Sequence, residues 1–102
     1  MSKLEGQIAI VTGAGRGVGR ATAIMLARDG ARVVVNDLDP NVAAETASRI
    51  QQSGHEATVV AGSVTDSDFP SLLLQGALDA YGSIDIIVNN AGYIWNGAMH
   101  NH

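Results

Sequence analysis

Apolar residues fall along this chain in two alternating rhythms. Short continuous runs occur at Ile8-Ala9-Ile10-Val11, Val33-Val34-Val35, Thr58-Val59-Val60 and Ile86-Ile87-Val88. Between them lie longer stretches in which apolar positions recur every three or four residues. Val42, Ala43, Thr46, Ala47 and Ile50 are one such set, and Ala21, Ile24, Met25 and Ala27 another. Continuous β-branched runs suit parallel strands buried on both faces. The intervening stretches suit amphipathic helices that cover those faces. The pattern predicts strands over about 7–12, 32–36, 56–61 and 84–89, and helices over about 18–29, 40–53 and 67–81.

The punctuation agrees with the rhythm. Gly30, Gly54 and Gly82 stand where each helix should stop. Asp39 is placed to cap the second helix, because Pro40 then takes its first position. Asp66 or Ser67 can cap the third, and Pro70 fits only in its first turn. The chain therefore reads β-α-β-α-β-α-β. Strands that alternate with helices of this length pair in parallel through right-handed crossovers. The expected fold class is α/β, a doubly wound parallel sheet of strand order 3-2-1-4. Its switch point lies between strands 1 and 4, and ligands bind there, outside the carboxyl ends of the strands.

Chemistry enters at the end of the first strand, with Thr12-Gly13-Ala14-Gly15-Arg16-Gly17-Val18-Gly19. Strand, glycine turn and helix together let backbone N–H groups point at a pyrophosphate near the positive end of a helix. The common dinucleotide fingerprint places glycines at i, i+2 and i+5. Counting from Gly13 reaches Val18, and counting from Gly15 reaches Arg20, so that spacing fails. What fits is Gly13-x-x-x-Gly17-x-Gly19. A glycine turn alone is also compatible with a structural loop that binds nothing. Asp37 strengthens the ligand reading. It closes the second strand 18 residues after Gly19, where a carboxylate can accept both hydroxyls of an adenosine ribose. A turn or cap role is the competing reading for Asp37. Asp39 takes the cap and leaves Asp37 free.

Composition narrows the remaining classes. The 102 residues are 46% hydrophobic and 16% charged, with 12 glycines, the balance of one folded domain. A net charge of −4 and the lack of a basic cluster argue against a nucleic-acid surface. With no cysteine, disulfides and thiolate metal sites are excluded. No apolar run approaches the ~20 residues of a membrane span, and the polar start is no signal peptide. A cytoplasmic, non-membrane protein is the expectation. His100 and His102 could be imagined as metal ligands, but a mobile tail explains them with fewer assumptions.

Thr12-Gly-x-x-x-Gly-x-Gly19, Asp37, and Asn89-Asn90-Ala91-Gly92 after an Ile-Asp-Ile-Ile-Val strand together resemble the N-terminal half of the short-chain dehydrogenase/reductase family. Within it the chain most resembles the 3-oxoacyl-acyl-carrier-protein reductase type. The likeness runs from Lys3 to about Gly92. It implies a Rossmann-type sheet, truncated before the family's later strands. Residues 1–92 would form a dinucleotide-binding domain, and 93–102 an irregular tail leading into a missing C-terminal half. The resemblance also implies site roles. Gly13, Gly17 and Gly19 would form the turn over the pyrophosphate, with Arg16 and Val18 beside them. Asp37 would hold the adenosine ribose and Leu38 would lie by the adenine. Ser63 and Val64 would flank the adenine from the third strand, although many members carry Asp where Ser63 stands. Asn90, Ala91 and Gly92 would line the nicotinamide-side ribose, while Asn89 would tie the fourth strand to its neighbours.

NAD is the expected cofactor. A carboxylate at the ribose repels the extra phosphate of NADP, whereas Arg16 could attract it. Asp37, placed at the ribose itself, carries more weight. The family's catalysis uses a Tyr and a Lys four residues later. Here the only lysine is Lys3, and Tyr81 and Tyr93 are followed four positions on by Asp85 and Gly97. No catalytic residue is assigned, and the 102 residues alone are expected to be inactive. The implied activity is hydride transfer between a nicotinamide cofactor and an alcohol or ketone, such as a 3-oxoacyl thioester. A homo-oligomer is implied for the complete enzyme. The alternative is a non-catalytic nucleotide-binding or interaction module. Two explanations of the short length stay open: part of a longer enzyme, or a short product whose fourth strand pairs with a partner.

Overall fold

The computed structural model describes residues 4–15, 17–62 and 69–90. Within them the order is β1 (Ile8–Thr12), α1 (Gly17–Arg28), β2 (Arg32–Val35), α2 (Pro40–Gln52), β3 (Ala57–Val59), α3 (Phe69–Tyr81) and β4 (Ile86–Asn89). All strand pairs are parallel, and the sheet runs β3-β2-β1-β4. The sequence-based order is the observed one. Register places Ile8 opposite Arg32, Val33 opposite Ala57, and Thr12 opposite Asn89. The last pairing brings the carboxyl ends of β1 and β4 side by side.

The side-chain alternation of the strands divides the core in two. Ala9, Val11, Val33 and Val35 face α1 and α2, packing with Ala23, Ala27, Ala43, Ala47 and Ile50. Small alanines on the two helices let their backbones approach the sheet closely. Ile10 and Val34 face the other way and pack with Leu73 and Ala77 of α3. Every residue of β1 is buried. A central strand covered on both faces needs the continuous apolar run that the sequence shows.

The helices end as their residues dictate. Asp39 Oδ1 accepts from Asn41 N at 2.9 Å and Val42 N at 3.4 Å, the expected cap, with Pro40 opening α2. At the other end of α1, Gly30 N donates to the Ala27 carbonyl and Ala31 N to that of Leu26, a Schellman closure. Gly54 N and His55 N repeat it on Gln51 and Ile50. The proposed cap at Asp66 or Ser67 lies outside the described residues.

β3 and β4 are shorter than the strands predicted over 56–61 and 84–89. β3 stops at Val59 because the chain turns onto the end of β2. There Asn36 Nδ2 donates to the Val60 carbonyl at 2.9 Å, and Gly62 N donates to the Asp37 carbonyl at 3.0 Å. At the start of β4, a side chain takes part in the ladder. Asp85 N donates to Ile8 O, while Asp85 Oδ2 accepts from Ile8 N, both at 2.8 Å. No described helix is long and apolar enough to cross a membrane.

Candidate functional site

The carboxyl edge of the sheet gathers the residues that the sequence singled out. β1 ends at Thr12 and passes into the glycine turn. β4 ends at Asn89, with Asn90 following, and Asp37 follows β2. Two sequence separations of more than 70 residues close here. Thr12 Oγ1 donates to Asn89 Oδ1 at 3.1 Å, and Asn90 Nδ2 donates to the Gly13 carbonyl at 3.4 Å. Asn89 thus ties β4 to β1, as its position suggested.

Within the turn, each described glycine has its own physical reason. Gly13 and Gly17 have φ of +61° and +60°, a region that side-chain-bearing residues rarely adopt. A Cβ on Gly17 would meet nothing within 4 Å, so the space over the mouth of α1 is open. Gly19 is buried, and a Cβ there would run into the Gly13 carbonyl and the Asn90 amide. Gly15 has an ordinary φ but no room. A Cβ there would lie 2.5 Å from Val42 Cγ1 and 2.6 Å from Asp37 Oδ2.

The protein itself uses most of the turn's peptide groups from 13 to 15. Ala14 N donates to the Asn36 carbonyl at 2.7 Å, and Gly15 N donates to Asp37 Oδ2 at 2.9 Å. The Ala14 and Gly15 carbonyls accept from Thr46 Oγ1 at 2.9 and 3.2 Å. What the turn offers an anion is therefore the first turn of α1. Its N–H groups, beginning at Gly17, have no partner within the helix and sit at the positive end of its dipole.

Asp37 is not free, contrary to the sequence-based expectation. Beyond Gly15, its Oδ1 accepts from Asp39 N at 3.1 Å. The carboxylate still has lone pairs to offer, since each oxygen can accept more than one hydrogen bond, and the residue is only half-buried. Two exposed apolar side chains flank the mouth: Val18 on α1, 73% exposed, and Leu38 beside Asp37, 71% exposed. Of the predicted site residues, Gly13, Gly17, Val18, Gly19, Asp37, Leu38 and Asn90 meet at this edge. Arg16, Ser63, Val64, Ala91 and Gly92 lie outside the described residues.

Four residues around the turn escaped sequence reasoning: Gly15, Asn36, Thr46 and Arg20. Thr46 was legible only as part of the buried stripe of α2. Its hydroxyl also accepts from Arg20 Nε at 2.9 Å. Arg20 in turn pairs with Glu45 at 3.5 Å, and Glu45 with Arg49 at 3.0 Å. Hydrogen bonding from Arg49 and the Arg20 charge hold the exposed Glu45 carboxyl below its ordinary value. A surface depression of about 220 Å³ lies elsewhere. It sits at the amino ends of the strands, lined by Arg32, His55 and Glu56 among others. The switch-point chemistry lies at the opposite edge of the sheet.

A parallel sheet of this order, with a glycine turn, a helix mouth and a carboxylate at its switch point, defines a Rossmann-type nucleotide-binding protein. The model of the short chain dehydrogenase family matches residues 7–102, and the chain belongs to that family. It is 51% identical over 85 residues to the short-chain dehydrogenase/reductase FrzI of a Cladobotryum species, covering 82% of this chain and 33% of FrzI. It is 43% identical over 93 residues to a 3-oxoacyl-[acyl-carrier-protein] reductase of a Synechocystis species, covering 90% of this chain and 38% of that protein. The chain thus spans between a third and two fifths of the length of these relatives. Among solved structures, it superposes with a TM-score of 0.83 and 40% identity on a 7α-hydroxysteroid dehydrogenase complexed with NADH and 7-oxo glycochenodeoxycholic acid. That likeness covers 84% of this chain and 34% of the other.

Proposed function

We propose that residues 1–92 are the cofactor-binding part of an NAD-dependent alcohol dehydrogenase or ketone reductase. The observation that carries this reading is the Asp37 carboxylate, tied by Gly15 N at 2.9 Å to the flank of the glycine turn. From there it can accept from a ribose at the tip of β2. The first turn of α1 (Gly17, Val18, Gly19) faces the pyrophosphate. Gly13 forms the bend, Leu38 lies against the adenine, and Asn90 borders the nicotinamide side. Arg16, Ser63, Val64, Ala91 and Gly92 complete the set by family resemblance.

The residues present fit such a group. Open space lies over Gly17, and exposed apolar side chains border the mouth on both sides. When bound, the nicotinamide supplies or accepts a hydride. What this chain's own residues do is bind and orient. Asp37 also discriminates. Beside a 2′-phosphate, its charge would cost roughly 4 kcal/mol per charge pair at ~4 Å and an effective dielectric constant near 20. NAD is therefore favoured over NADP.

The 102 residues contain no Tyr-x-x-x-Lys, since Lys3 is their only lysine. On this reading they bind cofactor without turnover, as a non-catalytic nucleotide-binding module would. Proton transfer to a ketone or 3-oxoacyl thioester, or from an alcohol in the reverse direction, then falls to residues outside them. A homo-oligomeric assembly and a cytoplasmic setting go with the complete enzyme. The reading is tested by titrating the protein and its Asp37→Ala variant with NADH and NADPH. The native protein should prefer NADH, and the variant should lose that preference by gaining NADPH affinity. Unchanged NADPH affinity in the variant would refute the role given to Asp37.

A further inference from the structure

We infer that Thr46, on α2, is a positioning residue of the dinucleotide site, acting through the Ala14–Gly15 peptide on Asp37. The inference rests on the dinucleotide reading above. Its basis is one peptide unit held from both sides. In a trans peptide, the C=O and N–H groups point in opposite directions. Here the Ala14 carbonyl accepts from Thr46 Oγ1 at 2.9 Å, and the Gly15 N–H of the same unit donates to Asp37 Oδ2 at 2.9 Å. The hydroxyl and the carboxylate therefore fix one plane between them.

Arg20 settles which way the hydroxyl points. A guanidinium has only donors, so Thr46 Oγ1 must accept from Arg20 Nε, at 2.9 Å. The hydroxyl's own hydrogen is left for the carbonyls of Ala14 and Gly15, the latter at 3.2 Å. Thr46 is fully buried, so water cannot replace it without rearrangement. A buried carbonyl or guanidinium N–H that loses its partner is costly. With valine at 46 the shape is kept and the hydroxyl lost. The peptide can then rotate, the Gly15 N–H leaves Asp37, and the carboxylate no longer sits fixed at the tip of β2.

The test compares Thr46→Val and Thr46→Ser with Ile50→Val, a buried control on the same helix whose apolar side chain can make no hydrogen bond to the turn. Two readouts are used: amide exchange of Gly15 by NMR without nucleotide, and affinity for NADH. Thr46→Val should speed Gly15 exchange and weaken NADH binding, each about tenfold. Thr46→Ser should remain within about twofold of the native protein in both. Ile50→Val should lower the melting temperature and leave both readouts alone. Native Gly15 exchange in Thr46→Val, or faster exchange with native NADH affinity, overturns the inference alone. Absence of NADH affinity in the unsubstituted protein overturns the dinucleotide reading, and this inference with it.

Discussion

Asp37 Oδ2 accepts a hydrogen bond from Gly15 N at 2.9 Å, and the position a Gly15 Cβ would take lies 2.6 Å from that same oxygen. The acid at the tip of β2 and the backbone of the glycine turn are thus packed with no space for even a methyl group between them. The bond orients the carboxylate, and the missing side chain permits the bond.

Gly15→Ala tests that contact. The added methyl must displace Asp37 or Val42, whose Cγ1 lies 2.5 Å from the same point. Overpacking of this kind costs about 1–3 kcal/mol, read as a lowered melting temperature. NADH affinity should fall together with stability, because the carboxylate is pushed from its place. Gly6→Ala makes a useful contrast, since a Cβ there meets nothing within 4 Å and the residue lies before β1. Its φ of +86° makes it cost some stability, but NADH affinity should be native.

Tyr81 gives the fold a dependence on alkaline pH. Burial, and then the Glu56 carboxylate, push its phenol above the ordinary value of 10.0, against the opposing pull of Arg32. The Arg32 guanidinium lies 5.9 Å from the ring centre and pairs with Glu56 at 3.3 Å. A raised pKa means that the folded state holds its proton more tightly than the unfolded chain. This contribution to stability is complete below pH 10, and is lost as pH rises through 10 toward the folded value. Tyr81→Phe should flatten that part of the stability curve. It should also remove a phenolate transition above the ordinary value from the ultraviolet titration. An unaltered titration in the variant would show that Tyr81 is not the group responsible.

Much of the architecture was legible in the residues. The buried β-branched runs of β1 and β2 marked a parallel sheet. Pro40 after Asp39, and the glycines at 30, 54 and 82, marked the helix ends. Their causes are local, within a turn or two of chain. The site was legible only in part, because its supports are not local. Thr46 reaches Ala14 across 32 residues, and Asp37 reaches Gly15 across 22. A threonine within an apolar stripe reads as core, and only the folded structure shows where its hydroxyl goes. Gly15 was passed over for a related reason. The motif spacing gives weight to glycines 13, 17 and 19, whereas the need for glycine at 15 comes from the side chains of Asp37 and Val42. The ranges predicted for β3 and β4 overshoot the strands because Asn36 and Asp85 take over the hydrogen bonding at the ends.

On the proposed function, a nicotinamide dinucleotide sits at the carboxyl edge of the sheet, between the mouth of α1 and Asp37. Backbone amide shifts of the isotope-labelled protein, followed as NADH is added, test it most directly. Saturable shifts are expected at Gly13, Gly17, Val18, Gly19, Asp37 and Asn90, with His55, Glu56 and Tyr81 at the opposite edge unmoved. Shifts confined to the opposite edge, or none at any NADH concentration, would contradict it.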